Sequence, residues 1–314
     1  MEKANKNYNK GSDYLNTSCL KCRFNPDYSS AIPYLKIAAD EFHNINDFNK
    51  EIETREKLVK CFKNENSFWE EGNEYEKISK VQLNQLKSPS EAYNSIENAF
   101  HAYINDHKYD YAIKALTKLS GDFIDKEKKK EAEKALSFAF EGINKYYNVI
   151  IIDKDEDISY IYECIDKYID LLYNDERYKK GAEIAKKSAE LFQKENKNDK
   201  NIAKYYAYQA IGELVDKKED KYKSTIEKGI NCEGGNGLNC KINKLVNTVK
   251  EHNKNNEKII SSLFYEINQK VPNSISKMLN KYIQENKNYD DYEDNINNNN
   301  KDKDKLTDFE EDLK

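Results

Sequence analysis

Three stretches of the chain share one spacing of small and apolar residues. Each stretch starts at a tyrosine, Tyr28, Tyr109 or Tyr178, and continues at offsets of 3, 4, 7, 10, 11 and 14 residues. Because 3.6 residues complete a helical turn, these offsets trace one face of an α-helix. The marked positions are Ala31, Ile32, Leu35, Ala38, Ala39 and Phe42; Ala112, Ile113, Leu116, Leu119, Ser120 and Phe123; and Gly181, Ala182, Ala185, Ser188, Ala189 and Phe192.

The distances between these stretches predict paired helices. The three tyrosines lie 81 and 69 residues apart, about twice the length of a helical-hairpin repeat. One unmarked hairpin is therefore expected between each marked pair. The predicted architecture is a row of antiparallel helix pairs stacked side by side.

Two intervening segments carry the same helical periodicity. Ser88 and Pro89 are typical of a helix start, since proline is tolerated at the first helical position. The faces that follow are Ala92, Ile96, Ala99 and Tyr103, and then Ala132, Ala135, Leu136, Ala139, Ile143 and Tyr146. Pro33 is harder to place, because a proline inside a helix costs about 3 kcal/mol. Either the first marked helix begins near Ser30, or it kinks at Pro33.

The character of the chain changes near residue 230. Three glycines fall within residues 234–237, which predicts a loop, and two short helices are expected at 256–268 and 273–287. Residues 288–314 carry ten acidic residues and four lysines, and so polar a segment is predicted to be disordered. The predicted domains are a helical-hairpin stack at 1–230, a helical bundle at 231–287 and an acidic tail at 288–314.

Composition favours an all-α fold and excludes several classes. Hydrophobic residues make up 38% of the 314 residues, enough for a sizeable core. The 10 glycines and 4 prolines are too few for the turns of a sandwich or barrel. Charged residues reach 35% with a net charge of only −5, so both signs are interspersed and no nucleic-acid partner is expected.

The sequence also suggests a compartment. No stretch approaches the ~20 apolar residues of a membrane span, and the polar segment Met1–Lys10 is followed by no secretory signal. A cytoplasmic protein is therefore expected. Its six cysteines are too few for a disulfide scaffold and fit reduced thiols.

Candidate catalytic and metal-binding residues form no recognisable motif. The four histidines have no partner at catalytic spacing and are predicted to be surface or helix-end residues. They are His43, His101, His107 and His252. Cys19 and Cys22 have CxxC spacing but lack two further zinc ligands. The glycines at 234–237 have neither a preceding strand nor a following Gly-Lys-Ser/Thr, so they predict a turn. No enzyme activity, metal or cofactor is expected.

Two candidate contact surfaces remain. Leu20 and Phe24 are apolar where a solvated loop is expected, which favours contact with a membrane or partner. The alternative is that they fold back onto the first hairpin. Lys114 and Lys118 lie on the polar stripe of the second marked helix, and Lys167 lies in the adjacent hairpin. On a concave face these lysines would engage acidic residues of a long helical partner; the alternative is a solvated charge stripe.

The end of the chain is a third candidate. Residues Phe309–Lys314 place three carboxylates beside two apolar anchors. Charge would steer a partner, and Leu313 would anchor it. A purely solubilising tail is the alternative, but it has no need of Phe309 and Leu313.

The chain resembles the soluble NSF attachment proteins, or SNAPs. The N-terminal stretches are similar to the gamma branch of that family: Tyr14–Ser18, Asn25–Ala31, Tyr34 and Ile37–Phe42. Tyr109–Lys114 occupies the place of a family helix that carries a SNARE-contacting lysine, and Lys167 falls where the next hairpin carries another basic residue. The terminus Glu310–Lys314 is similar to the alpha branch, whose acidic-Leu-basic end engages the ATPase. Leu20 and Phe24 stand where that branch has a phenylalanine-rich loop.

The resemblance implies both a fold and a function. The implied fold is an all-α, TPR-like, right-handed stack of helical hairpins, forming a twisted sheet of helices, with a C-terminal helical bundle. The implied function is an adaptor, several copies of which line a syntaxin-type four-helix SNARE bundle and recruit the hexameric AAA ATPase NSF for SNARE disassembly in vesicle fusion and intracellular protein transport.

The resemblance also assigns residues to these partners. Lys114, Lys118 and Lys167 would contact SNAREs, and Leu20 and Phe24 would contact the membrane surface weakly. The ATPase-binding residues would be Glu310, Glu311, Asp312 and Leu313. The protein would be cytoplasmic and peripherally associated with endomembranes. The alternative is a TPR-like scaffold that binds a different helical or peptide partner, with no ATPase coupling.

Overall fold

The chain forms helices joined by turns. The computed structural model describes residues 1–17, 24–150, 158–194, 200–233, 235–251 and 256–286, and these residues contain no strand. The all-α prediction is confirmed. Two compact units, Met1–Lys167 and Tyr168–Lys314, divide the chain inside its eighth described helix.

The first unit is built from consecutive helices. Its described helices are α1 (Glu2–Leu15), α2 (Tyr28–Asn44), α3 (Phe48–Asn64), α4 (Phe68–Asn84), α5 (Pro89–Asn105), α6 (Tyr109–Asp125), α7 (Lys129–Ile150) and the start of α8 (Ser159–Asn174). From α1 to α7 each helix packs against the next one in sequence, and α5 also contacts α7. This is the contact pattern of stacked helical hairpins.

The second unit continues the pattern. Beyond the end of α8 it contains α9 (Tyr178–Gln193), α10 (Lys200–Val215), α11 (Glu219–Glu233), α12 (Leu238–Lys250), α13 (Glu257–Asn268) and α14 (273–286). Helices α9 to α13 pack in sequence order, and α10 also contacts α12. The short helices expected at 256–268 and 273–287 are confirmed as α13 and α14. The domain boundary predicted at residue 230 falls within this unit and stays a prediction, and residues 288–314 lie outside the described part.

The shared residue spacing correctly locates helices. Tyr28, Tyr109 and Tyr178 are the first residues of α2, α6 and α9, and every marked position is buried except Ile32, which is half-buried. One unmarked hairpin, α4 with α5, separates α2 from α6, as predicted. The second interval is predicted wrongly, because the described residues between α6 and α9 form just the two helices α7 and α8. Helix α7 is 22 residues long, against 17 for α6, and takes up part of that interval.

Pro33 lies inside α2. The helix begins at Tyr28, so of the two alternatives the start near Ser30 is wrong, and the kink at Pro33 stays a prediction. The start is set by Asp27, whose carboxylate accepts a hydrogen bond from the Ser30 N–H at 3.0 Å. Pro33 and Ser29 are both exposed. The Ser29 carbonyl, which loses its helical donor at Pro33, therefore faces solvent, and this lowers the cost of the missing bond.

Similar turns reverse the chain between helices. Among the described residues, seven that are not glycine have φ of 54° to 60° in these turns, and they are Asn46, Asn66, Lys87, His107, Glu127, Glu176 and Lys217. At six of them the next residue donates to the carbonyl five positions back, as Asp47 N–H does to Phe42 at 2.9 Å. This is a Schellman turn, which satisfies carbonyls left over at the end of a helix.

Glycines let helices of the first unit approach closely. A Cβ atom at Gly72 would lie 2.6 Å from the Tyr103 ring, and one at Gly142 would lie 2.8 Å from the Phe100 ring. Tyr103 is fully buried, and its hydroxyl donates to Glu76 Oε1 at 2.6 Å. Each ring thus occupies the space that a glycine leaves on a neighbouring helix.

One tyrosine has the same role for three helices of the second unit. A Cβ atom at Gly181 on α9 would lie 2.2 Å from the Tyr173 ring of α8, and one at Gly212 on α10 would lie 2.5 Å from its hydroxyl oxygen. The hydroxyl donates to the Tyr208 carbonyl at 2.6 Å. The ring is therefore held from both sides and cannot move to admit a methyl group.

We predict that Gly181→Ala lowers the free energy of unfolding by about 1–2 kcal/mol. The overpacking penalty against Tyr173 exceeds the gain of about 1 kcal/mol in helix propensity. Urea unfolding followed by circular dichroism measures the change. The matched control is Gly121→Ala in α6, where the nearest atom to the new Cβ is the flexible Lys167 Nζ at 3.6 Å. This control should be neutral or stabilising, and equal effects of the two substitutions would contradict the packing argument.

Candidate functional site

The three lysines singled out in the sequence lie on one face of the first unit. Lys114 Nζ on α6 lies 4.8 Å from the centroid of the Tyr160 ring on α8. Two turns further along both helices, a Cβ atom at Gly121 would lie 3.6 Å from Lys167 Nζ. These two contacts place α6 and the start of α8 side by side and pointing the same way. We call the surface formed by Lys114, Lys118, Gly121 and Lys167, above the buried Tyr160, the α6–α8 face.

Carboxylates on the same helices offset much of this positive charge. Lys114 Nζ lies 2.9 Å from Asp110 Oδ2, and Lys167 Nζ lies 2.7 Å from Glu163 Oε1. In both pairs the acid precedes the lysine by four residues, the favourable order on a helix. Lys118 is exposed and has no ion-pair partner among the described residues. The sequence reasoning named the lysines but missed both acids, although the four-residue spacing was the available signal.

The α6–α8 face also offers aromatic surface. The Tyr111 side chain is 45% exposed, and its ring centroid lies 5.6 Å from Lys114 Nζ. A lysine held over two tyrosine rings buries its carbon stem while its charge stays accessible. The arrangement suits a partner that presents carboxylates beside apolar side chains, as an amphipathic helix does.

The other predicted contact residues are only partly described. Phe24 is 74% exposed, so for this residue the alternative of folding back onto the first hairpin is wrong. Leu20 lies outside the described residues, as do Glu310, Glu311, Asp312 and Leu313. Every described helix is too short or too polar to qualify as a transmembrane segment.

Cysteine and metal chemistry find little support in the described residues. Burial raises the pKa of Cys61 to about 11 and that of Cys164 to about 12, so both thiols stay protonated near neutral pH and are poor nucleophiles. Cys19 and Cys22 lie outside the described part of the chain. Within that part, no three histidine, cysteine or acidic side chains come together as metal ligands would.

A buried ionic network joins three helices of the first unit, and the sequence reasoning missed it. Arg55 on α3 donates from Nε to Glu51 at 2.9 Å and from Nη1 to Glu74 of α4 at 2.9 Å. The three side chains are 8%, 1% and 3% exposed. His43, in the last turn of α2, completes the network with Nδ1 2.8 Å from Glu51 Oε2.

The network is electrostatically balanced. Burial disfavours the charged guanidinium, but the carboxylates of Glu74 and Glu51 outweigh burial and raise the pKa of Arg55 above its usual range. Lys77 donates to the other Glu74 oxygen at 2.6 Å. Because the carboxylates of Glu51 and Glu74 are both engaged by cationic side chains or His43, the network holds α2, α3 and α4 together.

A sequence signal for this network existed. The spacing that marks α2 recurs 20 residues later from Phe48, with Leu58, Val59 and Phe62 at offsets 10, 11 and 14. Offsets 3 and 7 are Glu51 and Arg55, and these charges hid the pattern from a search for apolar positions. A search that accepts an acid and a base four residues apart would have found α3.

No family model and no curated protein matches the sequence.

We predict that Arg55→Met destabilises the protein by about 3 kcal/mol, because it leaves two buried carboxylates without their shared cation. The value is at the low end for such a loss, since His43 and Lys77 still contact Glu51 and Glu74. Replacing all three residues, as Glu51→Leu, Arg55→Met and Glu74→Leu, should restore at least half of the lost stability. Thermal unfolding compares the variants, and a triple variant no more stable than Arg55→Met would contradict the explanation that unpaired buried carboxylates cause the loss.

Proposed function

We propose that this protein is a SNAP-type adaptor, which binds SNARE complexes through its helical hairpins and recruits the ATPase NSF through its C-terminal tail. The observation that carries the proposal is the α6–α8 face. Lys114 and Lys118 come from α6 and Lys167 comes from α8, yet the three lysines line one surface together with the exposed Tyr111. A bundle of long amphipathic helices with acidic positions is a complementary ligand for such a surface.

The tail supplies the second half of the proposal. Residues 288–314 carry a net charge of −6, and their last residues are Glu310, Glu311, Asp312, Leu313 and Lys314. A short acidic segment with one apolar anchor suits recognition by a basic site on a larger assembly. ATP hydrolysis would then belong to the partner. Phe24 would add a weak, peripheral membrane contact, since one exposed aromatic side chain gives little affinity.

One observation favours the competing function, a helical scaffold without ATPase coupling. Asp110 and Glu163 pair with two of the three lysines, so the α6–α8 face carries less positive charge than a strongly acidic partner would select. A less acidic helix or peptide would bind there equally well. The two functions differ in what the tail does, and the next experiments separate them.

We predict that Lys114→Glu combined with Lys167→Glu weakens binding to a SNARE complex at least tenfold. Each substitution places two acids four residues apart and repels carboxylates of the partner. A pull-down with a purified SNARE complex measures the loss, and circular dichroism checks the fold. The matched control is Lys60→Glu with Lys63→Glu, two exposed positions on α3. Full affinity in the Lys114/Lys167 variant would reject the α6–α8 face as the binding surface.

We further predict that Leu313→Ala lowers stimulation of NSF several-fold and leaves SNARE binding within about twofold of the wild type. The reason is that Leu313 is the apolar anchor of the terminal acidic segment. ATPase rate in the presence of SNARE complex is the measurement. Leu306→Ala, in the same tail, should have little effect on the rate. Unchanged stimulation by Leu313→Ala would favour the scaffold function.

A further inference from the structure

The second unit contains a groove that the proposed function does not use. It has a volume of about 510 Å³ and lies between α9 and α11, with α10 forming its floor. Ala182 and Gly212 are small residues and so leave space for the groove. The two residues are in close contact, since a Cβ atom at Gly212 would lie 3.0 Å from that of Ala182. We call it the α9–α11 groove.

Its floor holds a polar side chain with an unused acceptor. Gln209 is 7% exposed, and its Nε2 donates to Glu213 at 2.8 Å and to Thr225 at 3.2 Å. The Thr225 hydroxyl in turn donates to the other Glu213 oxygen at 2.8 Å. A carboxylate only accepts, so the orientation of the Gln209 amide is fixed. Its Oε1 has no hydrogen-bond partner and is itself shielded from solvent, so these bonds fix the floor of the groove and leave its binding chemistry to the rim.

The rim of the groove carries accessible cations. Lys179 on α9 and Lys221 and Lys228 on α11 are exposed and have no ion-pair partner among the described residues. Two of the acids that line the groove are already engaged, because Glu213 accepts the bonds at the floor and Asp216 pairs with Lys218. The remaining lining acids are Glu183 and Asp220.

These features define the chemistry of an occupant. It must present acceptors to the rim lysines. A peptide with acidic side chains does so, because its side chains supply carboxylates that lysines recognise by charge-assisted hydrogen bonds.

The geometry favours a segment of this same chain. Asn286, the last described residue, lines a second cavity with Val215, Lys217 and Glu219 of the α10–α11 turn. The intervening residues of that turn, Asp216 and Lys218, line the α9–α11 groove. The described chain thus ends beside the turn that borders the groove. The 28 residues that follow span up to about 90 Å when extended, so the terminus has ample reach.

We propose that the acidic C-terminal segment, residues 306–314, binds in the α9–α11 groove of its own chain. Glu310, Glu311 and Asp312 meet the rim lysines, and Leu313 or Phe309 packs over the small residues of the floor. The tail is then held on the protein until a partner competes for it. This inference stands independently of the identity of any SNARE or ATPase partner.

Competition in solution tests the proposal. A fluorescein-labelled synthetic peptide of residues 306–314 is titrated with the full chain, either as wild type or with the tail neutralised by Glu310→Gln, Glu311→Gln and Asp312→Asn. We expect the peptide to bind the neutral-tail protein with Kd of about 10–100 μM and the wild type at least tenfold more weakly. The difference arises because the wild-type tail occupies the groove at high effective concentration. Fluorescence anisotropy is the readout.

Matched lysine variants in the neutral-tail background locate the site. Lys179→Ala with Lys221→Ala should weaken peptide binding at least tenfold. Lys187→Ala with Lys223→Ala removes one exposed lysine from each of the same helices outside the groove lining and should change binding by less than twofold. Equal peptide affinity for wild-type and neutral-tail protein, absence of binding to both, or equal effects of the two lysine pairs would each overturn the proposal. The SNARE pull-down tests the α6–α8 face of the first unit. Its outcome therefore does not depend on whether the tail binds the α9–α11 groove.

Discussion

The fold depends on aromatic rings that fill the gaps opposite glycines. Tyr103 lies against Gly72, and Tyr173 lies against both Gly181 and Gly212. Each ring is buried, and each hydroxyl is hydrogen-bonded, so neither helix of a pair can slide without breaking a polar bond and opening a cavity. In a chain whose helices mostly touch their sequence neighbours, such contacts fix the register from one helix to the next. Both candidate binding surfaces rely on that register, since their residues come from separate helices.

Much of the fold follows from local sequence, because burial of one helical face leaves a periodic trace. The marked tyrosines begin helices, and Ser88 with Pro89 begins another. Contacts between residues far apart in the sequence could not be predicted from local patterns. Glu51 and Arg55 occupy core positions and look like surface charges until Glu74 is brought beside them. The αL turn residues were equally hidden, because Lys87 or Glu127 gives no sign of a positive φ where glycine would.

The α6–α8 face likewise combines features that local sequence predicts with features that only the packing of helices reveals. Placing Lys114 and Lys118 on one stripe required only helical periodicity, whereas the meeting of Lys114 with Tyr160, and of Gly121 with Lys167, required the packing of α6 against α8. The charge of the face also depends on Asp110 and Glu163. Each ion pair between one of these acids and its lysine stabilises the helix by about 0.2–0.5 kcal/mol. This is little enough for the carboxylates of a well-fitted partner to replace the local acid. At the proposed binding surface, the local acids would therefore discourage loosely complementary ligands without blocking a well-fitted one.

The left-handed turn residues influence how the protein unfolds locally. An L-residue in that conformation is disfavoured by roughly 1–2 kcal/mol, and seven described corners carry one without being glycine. The packed helices on either side keep each corner in place, so any corner relaxes once its own hairpin opens. Since contacts run mainly between sequence neighbours, breathing motions should be confined to one or two hairpins at a time and begin where neighbours are fewest. The protein would then resemble a chain of semi-independent cooperative elements, able to loosen locally around a bound partner while the remaining hairpins stay folded.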